Sequence, residues 1–241
     1  MIDSGGAKAD QGLREALIAA CRELARSGLT YGTSGNIGVR RGAGGFFVSP
    51  TAMAYEALEP EDVPLVGFDG RWFGRRRPSS EWRLHRDIFK SRVDVGAIVH
   101  THSRKATALA CTGRGIPAFH YMVARAGGSD IRCAPYYTFG TQSLSDAAVV
   151  ALQDRKACLL ANHGVIAVGP NLPAALALAG EVEDLAAQYC AALAVGEAHI
   201  LDETEMSRVV EKFRTYGTQD AADPDLVFGG AAIRDTIVKG C

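Results

Sequence analysis

Residues 96–103 read GAIVHTHS, an apolar run that ends in two histidines, His100 and His102. The run predicts a buried β-strand, and because side chains alternate along a strand, both imidazoles point to the same face. They could bind one metal ion together, although two core histidines would give the same pattern. Two motifs accompany the strand: PSSE at 78–81 precedes it, and NHG at 162–164 closes another apolar run.

The overall charge argues against nucleic-acid and membrane partners. The 241 residues include 26 Lys plus Arg and 27 Asp plus Glu, a formal net charge of −1, which does not suit extended contact with a phosphate backbone or an anionic membrane. The apolar runs fall short of the roughly 20 residues that span a bilayer. Residues 1–12 lack the basic and apolar layout of a secretory signal. We therefore expect a cytoplasmic protein.

The cysteines are scattered and form no C-x-x-C pair. There are six: Cys21, Cys111, Cys133, Cys158, Cys190 and Cys241. Most stand in apolar surroundings, so free buried thiols in a reducing compartment are predicted in preference to a disulfide framework or a thiolate zinc site.

Helical and strand patterns alternate along the chain, which predicts an α/β fold. Residues 11–26 and 79–90 have helical signals, the latter with Ser79 or Ser80 as N-cap. The other expected helices are 103–111, 145–154, 173–195 and 203–213, and the other expected strands are 45–49, 62–67, 116–119, 157–161 and 165–168. Residues 29–40 are rich in Gly, Ser, Thr and Asn and predict tight turns, either an anion-binding loop or an ordinary hairpin connection.

A third histidine could complete a metal site. If the neutral imidazoles of His100, His102 and His163 meet, they form the ligand set of a catalytic zinc with one open coordination position. Such an ion keeps its double positive charge and can stabilise a developing enolate by several kcal/mol. The alternative for His163 alone is a residue tolerated in a turn between two strands.

The PSSE motif offers a base and an anion site. Glu81 is the candidate general base beside the metal, although a carboxylate in the first turn of a helix can serve the helix dipole alone. The N–H groups and hydroxyls around Ser79 and Ser80 suit a phosphate without requiring a lysine. His85, four residues after Glu81, is interpreted as a packed or surface residue and not as a ligand.

Taken together, eight segments resemble the class II aldolase/adducin family, and within it the aldolases of L-fuculose 1-phosphate. The likeness extends from about residue 13 to residue 217, with its motifs in order. The segments are GTSGNIGVR, VSPTAMAYEAL, PSSEWRLH, VDVGAIVHTH, IPAFHYMVARAGG, CAPYYTFGT, LLANHGVIAVG and EKFRTYG.

The resemblance implies one α/β domain over residues 1–241, a three-layer α/β/α arrangement with a mixed, largely antiparallel central sheet and flexible ends at 1–10 and about 218–241. It implies one Zn²⁺ per subunit, bound by His100, His102 and His163. It also implies a C4 homotetramer with the active sites between subunits.

The resemblance assigns further roles. Glu81 matches the acid/base residue, which also occupies the metal when substrate is absent, and Tyr121 matches a tyrosine that a neighbouring subunit supplies to protonate the aldehyde oxygen. Phe139 and Tyr216 match aromatic residues on the aldehyde side. The positions that match phosphate-binding residues are Gly35, Asn36, Thr51, Ser79 and Ser80. Two departures lie near the phosphate loops, because the family often has Ser and Gly where this chain has Gly38 and Ala52.

The activity implied is reversible zinc-dependent cleavage of a ketose 1-phosphate, L-fuculose 1-phosphate or a similar sugar, to dihydroxyacetone phosphate and a short aldehyde such as lactaldehyde. An aldolase of 5-deoxyribulose or 5-methylthioribulose 1-phosphate is the next alternative. A pentulose-5-phosphate 4-epimerase is a third, although Asp typically follows its PSS triplet where this chain has Glu81. The last is a non-catalytic, adducin-like interaction module, which the intact histidine set argues against.

Overall fold

The fold is built on one sheet of eight strands in the computed structural model, which describes residues 4–214 and 216. The strands are Asn36–Arg40 (β1), Phe46–Val48 (β2), Leu65–Val66 (β3), Trp72–Phe73 (β4), Ala97–Thr101 (β5), Arg132–Ala134 (β6), Ala157–Leu160 (β7) and Gly164–Gly169 (β8). Their order across the sheet is β4-β3-β2-β1-β5-β8-β7-β6. Only the β6–β7 pair is parallel among these strands, and the predicted mixed, largely antiparallel sheet is confirmed.

Helices cover both faces of the sheet. Those in the described residues are Ser4–Arg26 (α1), Trp82–Ser91 (α2), Arg104–Ala110 (α3), Gln142–Ala151 (α4), Leu172–Val195 (α5) and Glu203–Lys212 (α6). Helices α1, α3 and α5 share one buried cluster with Ile37 and Val99, and α2 and α4 share the other with Phe46 and Ile98. Because strand side chains alternate between faces, a central strand such as β1, β2 or β5 lies against helices on both sides. The three-layer α/β/α architecture is thus as predicted.

Strand β1 corrects the expectation of tight turns across residues 29–40. Ile37 and Val39 are buried on one face, and the strand is hydrogen-bonded on both sides, to β2 and to β5. The local Gly, Ser and Asn content hides this strand, because strand formation depends on pairing and burial more than on intrinsic preference. In the register with β5, Asn36 lies opposite His100.

The start of α2 also differs from the prediction. Glu81 is the N-cap residue, so it precedes the first helical turn, and neither Ser79 nor Ser80 caps the helix. The chain before Glu81 is instead extended, because the Ser79 N–H donates to the Ser49 carbonyl oxygen at 3.0 Å and Pro78 forms an isolated β-bridge with Pro50. This pairing places the loop that follows β2 beside the loop that precedes α2.

The other helices agree with the sequence pattern except at the start of α1 and at both ends of α4, which was expected at 145–154 and ends at Ala151. Helix α4 begins at Gln142 with Thr141 as its cap, not at Ser145, whose hydroxyl donates within the fold to the Arg83 carbonyl oxygen. Helix α1 begins at Ser4, seven residues before the expected start at residue 11. The expected flexible tail at 218–241 lies outside the described residues. None of the described helices has the length and apolar character needed to cross a membrane.

Five cysteines lie in the described residues, and all are free thiols, as predicted. Cys21 and Cys158 are buried, and burial raises the pKa of both thiols. Cys111 is exposed instead of buried, because it follows the last residue of α3. Cys241 lies outside the described residues.

A buried carboxylate anchors the arginine-rich loop that leads to residues 78–81. Asp62 is 1% exposed and accepts from Arg75 Nε at 2.8 Å and Arg76 Nε at 2.9 Å. The hydrogen bond from Arg75 holds the pKa of the Asp62 carboxyl well below its usual range, against the effect of burial. The ion pairs of Arg75 and Arg76 with Asp62 therefore hold this loop against the rest of the fold.

Replacing Asp62 by Asn is expected to lower the free energy of unfolding by about 1–2 kcal/mol at pH 7, since charged hydrogen bonds are lost and the arginines are half exposed. The folded-state pKa lies below the unfolded value of about 3.9, so this stabilisation is present above that pH and is lost as the pH falls through the folded-state pKa. Urea unfolding of both proteins at pH 7 and pH 3 should show a smaller difference at pH 3. An equal difference at both would show that the carboxylate charge is not the cause.

Candidate active site

The predicted metal strand ends in a cluster of imidazoles. His100 lies at the end of β5, is fully buried, and has its Nδ1 2.9 Å from the Val165 carbonyl oxygen of β8. That carbonyl can only accept, so Nδ1 carries the hydrogen and Nε2 faces the cluster. His102, just beyond the strand, places its Nε2 3.0 Å from His100 Nε2.

The turn between β7 and β8 brings in the third histidine. His163 packs edge-on against His100 and His102, with ring centroids 4.9 and 5.1 Å away. Asn162 adopts a φ of 54°, a left-handed conformation that Asn tolerates. A Cβ on Gly164 would lie 2.3 Å from the Thr101 carbonyl oxygen, so only glycine allows β8 this close to the end of β5. The NHG motif is thus explained residue by residue.

Glu81 completes the cluster from the start of α2. Its Oε2 lies 3.1 Å from His100 Nε2 and its Oε1 lies 3.3 Å from His163 Nε2. The Glu81 side chain is almost fully buried, and Oε1 makes no hydrogen bond. Ligand atoms of Glu81, His100, His102 and His163 all lie within 4.8 Å of one another.

Electrostatics in the cluster favour lone pairs on the ligand atoms of three of its residues, His102, His163 and Glu81. Burial lowers the pKa of His102 and of His163 to about 4, helped by His100, so both rings are neutral at neutral pH. Burial opposes ionisation of Glu81, but the neighbouring His100 outweighs it and holds the pKa of the carboxyl well below its usual range. Burial likewise opposes a charge on His100, but Glu81 raises the pKa of that ring.

These residues fit a divalent metal ion. A buried carboxylate oxygen without a hydrogen bond needs a positive partner. Nitrogen and oxygen ligands at about 2.0–2.1 Å from a tetrahedral ion lie roughly 3.3 Å from one another, and the closest pairs in this cluster are 3.0–3.3 Å apart. The donor set of three imidazoles and one carboxylate is suited to a metal that takes nitrogen and oxygen ligands.

A cavity of about 300 Å³ opens beside the cluster. It reaches from the metal-binding residues to the two loops paired before α2. All five residues that match phosphate-binding positions line it: Gly35, Asn36, Thr51, Ser79 and Ser80. The Ser79 hydroxyl accepts from the Glu81 N–H at 3.2 Å. Gly35 has a φ of 82°, and a Cβ there would lie 2.8 Å from the His100 carbonyl oxygen. Glycine therefore allows the segment before β1 to lie directly against β5.

Comparison with known proteins agrees with this site. The profile of the family described as Class II Aldolase and Adducin N-terminal domain matches residues 15–190. The chain belongs to this family. It is 54% identical over 205 residues to a 5-methylthioribulose-1-phosphate/5-deoxyribulose-1-phosphate aldolase of Rhodospirillum rubrum, covering 85% of this chain and 92% of the relative. It is 45% identical over 206 residues to an L-fuculose phosphate aldolase of Escherichia coli K12, covering 85% and 95%.

A solved structure of an L-fuculose 1-phosphate aldolase superposes with a TM-score of 0.82 at 38% identity, covering 84% of this chain and 96% of that one. The chain is therefore a class II aldolase, which is a lyase. This agrees with the activity class that the sequence motifs imply.

Of the three aromatic residues expected near the substrate, only Phe139 lines the cavity of its own chain. Phe139 lines the cavity beside the cluster. Tyr121 does not; it is half exposed and stacks on His120, with ring centroids 4.9 Å apart. Tyr216 does not line this cavity either, and borders another one with Phe213. Within one chain, Tyr121 and Tyr216 thus lie away from the metal-binding residues.

Sequence reasoning missed other residues of the aldolase site. Tyr136 lines the cavity beside Phe139, and the aromatic loop at 134–140 was the signal that could have indicated it. Asn162 lines the cavity as well. His85, interpreted from the sequence as a packed or surface residue and not a ligand, lies outside the four-residue metal cluster, but its ring nitrogen is 2.5 Å from Asn36 Oδ1. No sequence pattern indicates this contact.

Proposed function

We propose that this aldolase is zinc-dependent and cleaves a ketose 1-phosphate reversibly to dihydroxyacetone phosphate and a short aldehyde. The observation that carries the proposal is the cavity that joins Glu81 and two of the histidines to the Ser79 and Ser80 loop. A cavity with a metal-binding cluster at one end and hydroxyl and N–H groups at the other suits a substrate with a ketone near a phosphate. Zinc is supported by the donor set.

The proposed chemistry assigns one step to each group. Bound zinc would stabilise the negative charge that develops on the substrate as the carbon–carbon bond breaks. In cleavage, the C4 hydroxyl loses its proton, the C3–C4 bond breaks, and C4 becomes the aldehyde carbon. Glu81 returns a proton to C3, which completes dihydroxyacetone phosphate, and in the condensation direction Glu81 removes that proton. Ser79, Ser80 and Asn36 hold the phosphate.

Tyr121 is proposed to exchange the proton on the aldehyde oxygen in a neighbouring subunit of a C4 homotetramer. Its half-exposed position outside its own cavity supports this role, because a surface ring can reach into a partner's site. Tyr216 is proposed to line the aldehyde side of a site in the same way. Phe139 contributes from the chain that holds the metal.

For the sugar, the proposal gives first place to 5-methylthioribulose or 5-deoxyribulose 1-phosphate and second place to L-fuculose 1-phosphate. The relative that acts on the first pair has the higher identity. The aromatic wall of Tyr136 and Phe139 also suits an aldehyde with an apolar end. This order differs from the one drawn from sequence motifs alone.

Incubation with the three sugar phosphates is expected to release dihydroxyacetone phosphate most efficiently from the methylthio and deoxy sugars. We expect kcat/KM to exceed that for L-fuculose 1-phosphate by about 10-fold, the usual scale for one small group in an apolar pocket. Enzymatic reduction of the released dihydroxyacetone phosphate measures the rate. A preference for L-fuculose 1-phosphate would restore the second candidate, and release from none of the three would refute the proposed function.

A further inference from the structure

A chain of hydrogen bonds leads from the core of the protein to Glu81. It begins at His85 on α2, which is fully buried and does not line the cavity. His85 Nε2 lies 2.5 Å from Asn36 Oδ1, and Asn36 Nδ2 donates to Glu81 Oε2 at 3.0 Å. Asn36 lines the cavity but is only 4% exposed, so little water can compete for these bonds. The three residues come from β1 and from the two sides of the start of α2.

The chemistry of the groups fixes the direction of each bond. The carboxylate of Glu81 only accepts, so the Asn36 atom that faces it must be the NH₂ group. The atom that faces His85 is then the Asn36 carbonyl oxygen, which also only accepts. His85 must therefore carry its hydrogen on Nε2. If His85 offered a lone pair instead, the Asn36 amide could rotate and turn its oxygen towards Glu81.

The other ring nitrogen agrees with this assignment. His85 Nδ1 is buried and has no hydrogen-bond partner, as expected for the bare nitrogen of a neutral ring with its hydrogen on Nε2. Burial lowers the pKa of His85 to about 3, so the ring stays neutral at neutral pH. A Cβ on residue 38 would lie 2.5 Å from Nδ1, so Gly38 lets the ring lie against β1. This gives a physical reason for one of the two departures from the family pattern.

We propose that His85 is a positioning residue of this aldolase, which orients the Asn36 amide so that it holds the Glu81 carboxylate in place for proton transfer and leaves its second N–H for the phosphate ligand. The inference rests on the proposed function in that Glu81 is the base. His85 itself touches neither the cavity nor the metal-binding atoms. Its effect on catalysis therefore passes through Asn36 alone.

A double-mutant cycle tests this route. His85→Phe keeps an aromatic ring against Phe46 but removes the donor, and is expected to lower kcat/KM for the best substrate by about 10- to 100-fold, the scale of a displaced catalytic group. In the Asn36→Ala background the same change should cost less than about 2-fold, because residues that act through one another are not additive. His85→Gln retains an N–H donor and should recover most of the loss.

Phe89→Leu is the matched control, since Phe89 is buried on the same helix and also packs against Phe46. It should lower the melting temperature without changing kcat/KM more than about 3-fold. If His85→Phe costs the same factor with and without Asn36, or if Phe89→Leu costs as much, His85 acts by general destabilisation and the proposal is wrong.

A measurement without substrate separates this inference from the proposed function. Nitrogen-15 NMR of histidine-labelled enzyme should show His85 neutral with its hydrogen on Nε2 at pH 7, whichever sugar phosphate is cleaved. A hydrogen on Nδ1 or a charged ring would overturn the inference even in an active aldolase. If no sugar phosphate is cleaved but the Nε2 hydrogen is found, the proposed function fails while the hydrogen-bond order stands.

Discussion

Exchange with solvent of the hydroxymethyl proton of dihydroxyacetone phosphate, on the carbon that is C3 of the sugar, should fall by about 10²- to 10⁴-fold when Glu81 is replaced by Gln. The amide has nearly the same shape and can still accept from Asn36, but it cannot take up a proton. The three imidazoles remain, so we expect the metal content per chain to stay at the wild-type level. Proton NMR of dihydroxyacetone phosphate in D₂O follows the exchange without any aldehyde, and elemental analysis measures the metal.

Glu183→Gln is the control for this experiment. Glu183 lies on α5, where its carboxylate accepts from the backbone N–H groups of Lys105 and Ala106 at the start of α3. It does not belong to the metal-binding cluster. Its replacement removes the same charge and should leave exchange within about 3-fold of wild type. Unimpaired exchange in Glu81→Gln would rule out Glu81 as the base. Loss of metal from that variant would show instead that the carboxylate is needed to hold the ion.

Replacing His163 by Ala is expected to remove the metal and to lower aldol cleavage by at least about 10³-fold, since the ion supplies several kcal/mol of charge stabilisation. Two imidazoles and Glu81 would remain, and Glu81 is the residue proposed to transfer the proton. Treating the wild-type protein with a chelator should give the same loss, and added Zn²⁺ should restore activity to the wild-type protein but not to the variant.

The exposed His199 provides the matched control, since His199→Ala removes an imidazole outside the cluster. It should retain full metal content and full cleavage activity. A wild-type metal content in His163→Ala would remove this residue from the ligand set. Full cleavage by metal-free wild-type protein would contradict metal-dependent chemistry for the chain.

The local parts of this site could be predicted from the sequence. The apolar run before His100 predicts a strand, and the period of two puts His102 on the same side. The turn residues around His163 likewise predict a loop between two strands. That these two segments meet depends on the pairing of β8 with β5, which joins residues more than 60 positions apart. Local patterns carry no information about such pairing, so the third ligand required the family resemblance.

The incorrect sequence predictions have the same cause, namely contacts between residues distant in sequence. Strand β1 contains too many turn-forming residues to be recognised locally, and it exists because β2 and β5 flank it. The start of α2 was placed too early because Ser79 and Ser80 are good caps in isolation, while the backbone of Ser79 is occupied by Ser49. The contact between His85 and Asn36 spans 49 positions. Each error concerns a residue whose conformation is decided by a partner distant in sequence.

The register that sets Asn36 opposite His100 has a consequence for how substrate range can change. Asn36, which we propose holds the phosphate, and His100, a proposed metal ligand, stand on two directly paired strands at the centre of the sheet, so the backbone register fixes their separation. Under the proposed function, the three-carbon ketone phosphate half of the substrate must match this fixed distance. The proposed aldehyde end of the cavity instead faces Tyr136 and Phe139 of the aromatic loop at 134–140, which is not part of the central paired strands. Substitutions there can exchange one aldehyde for another while the donor half is still bound at the same spacing.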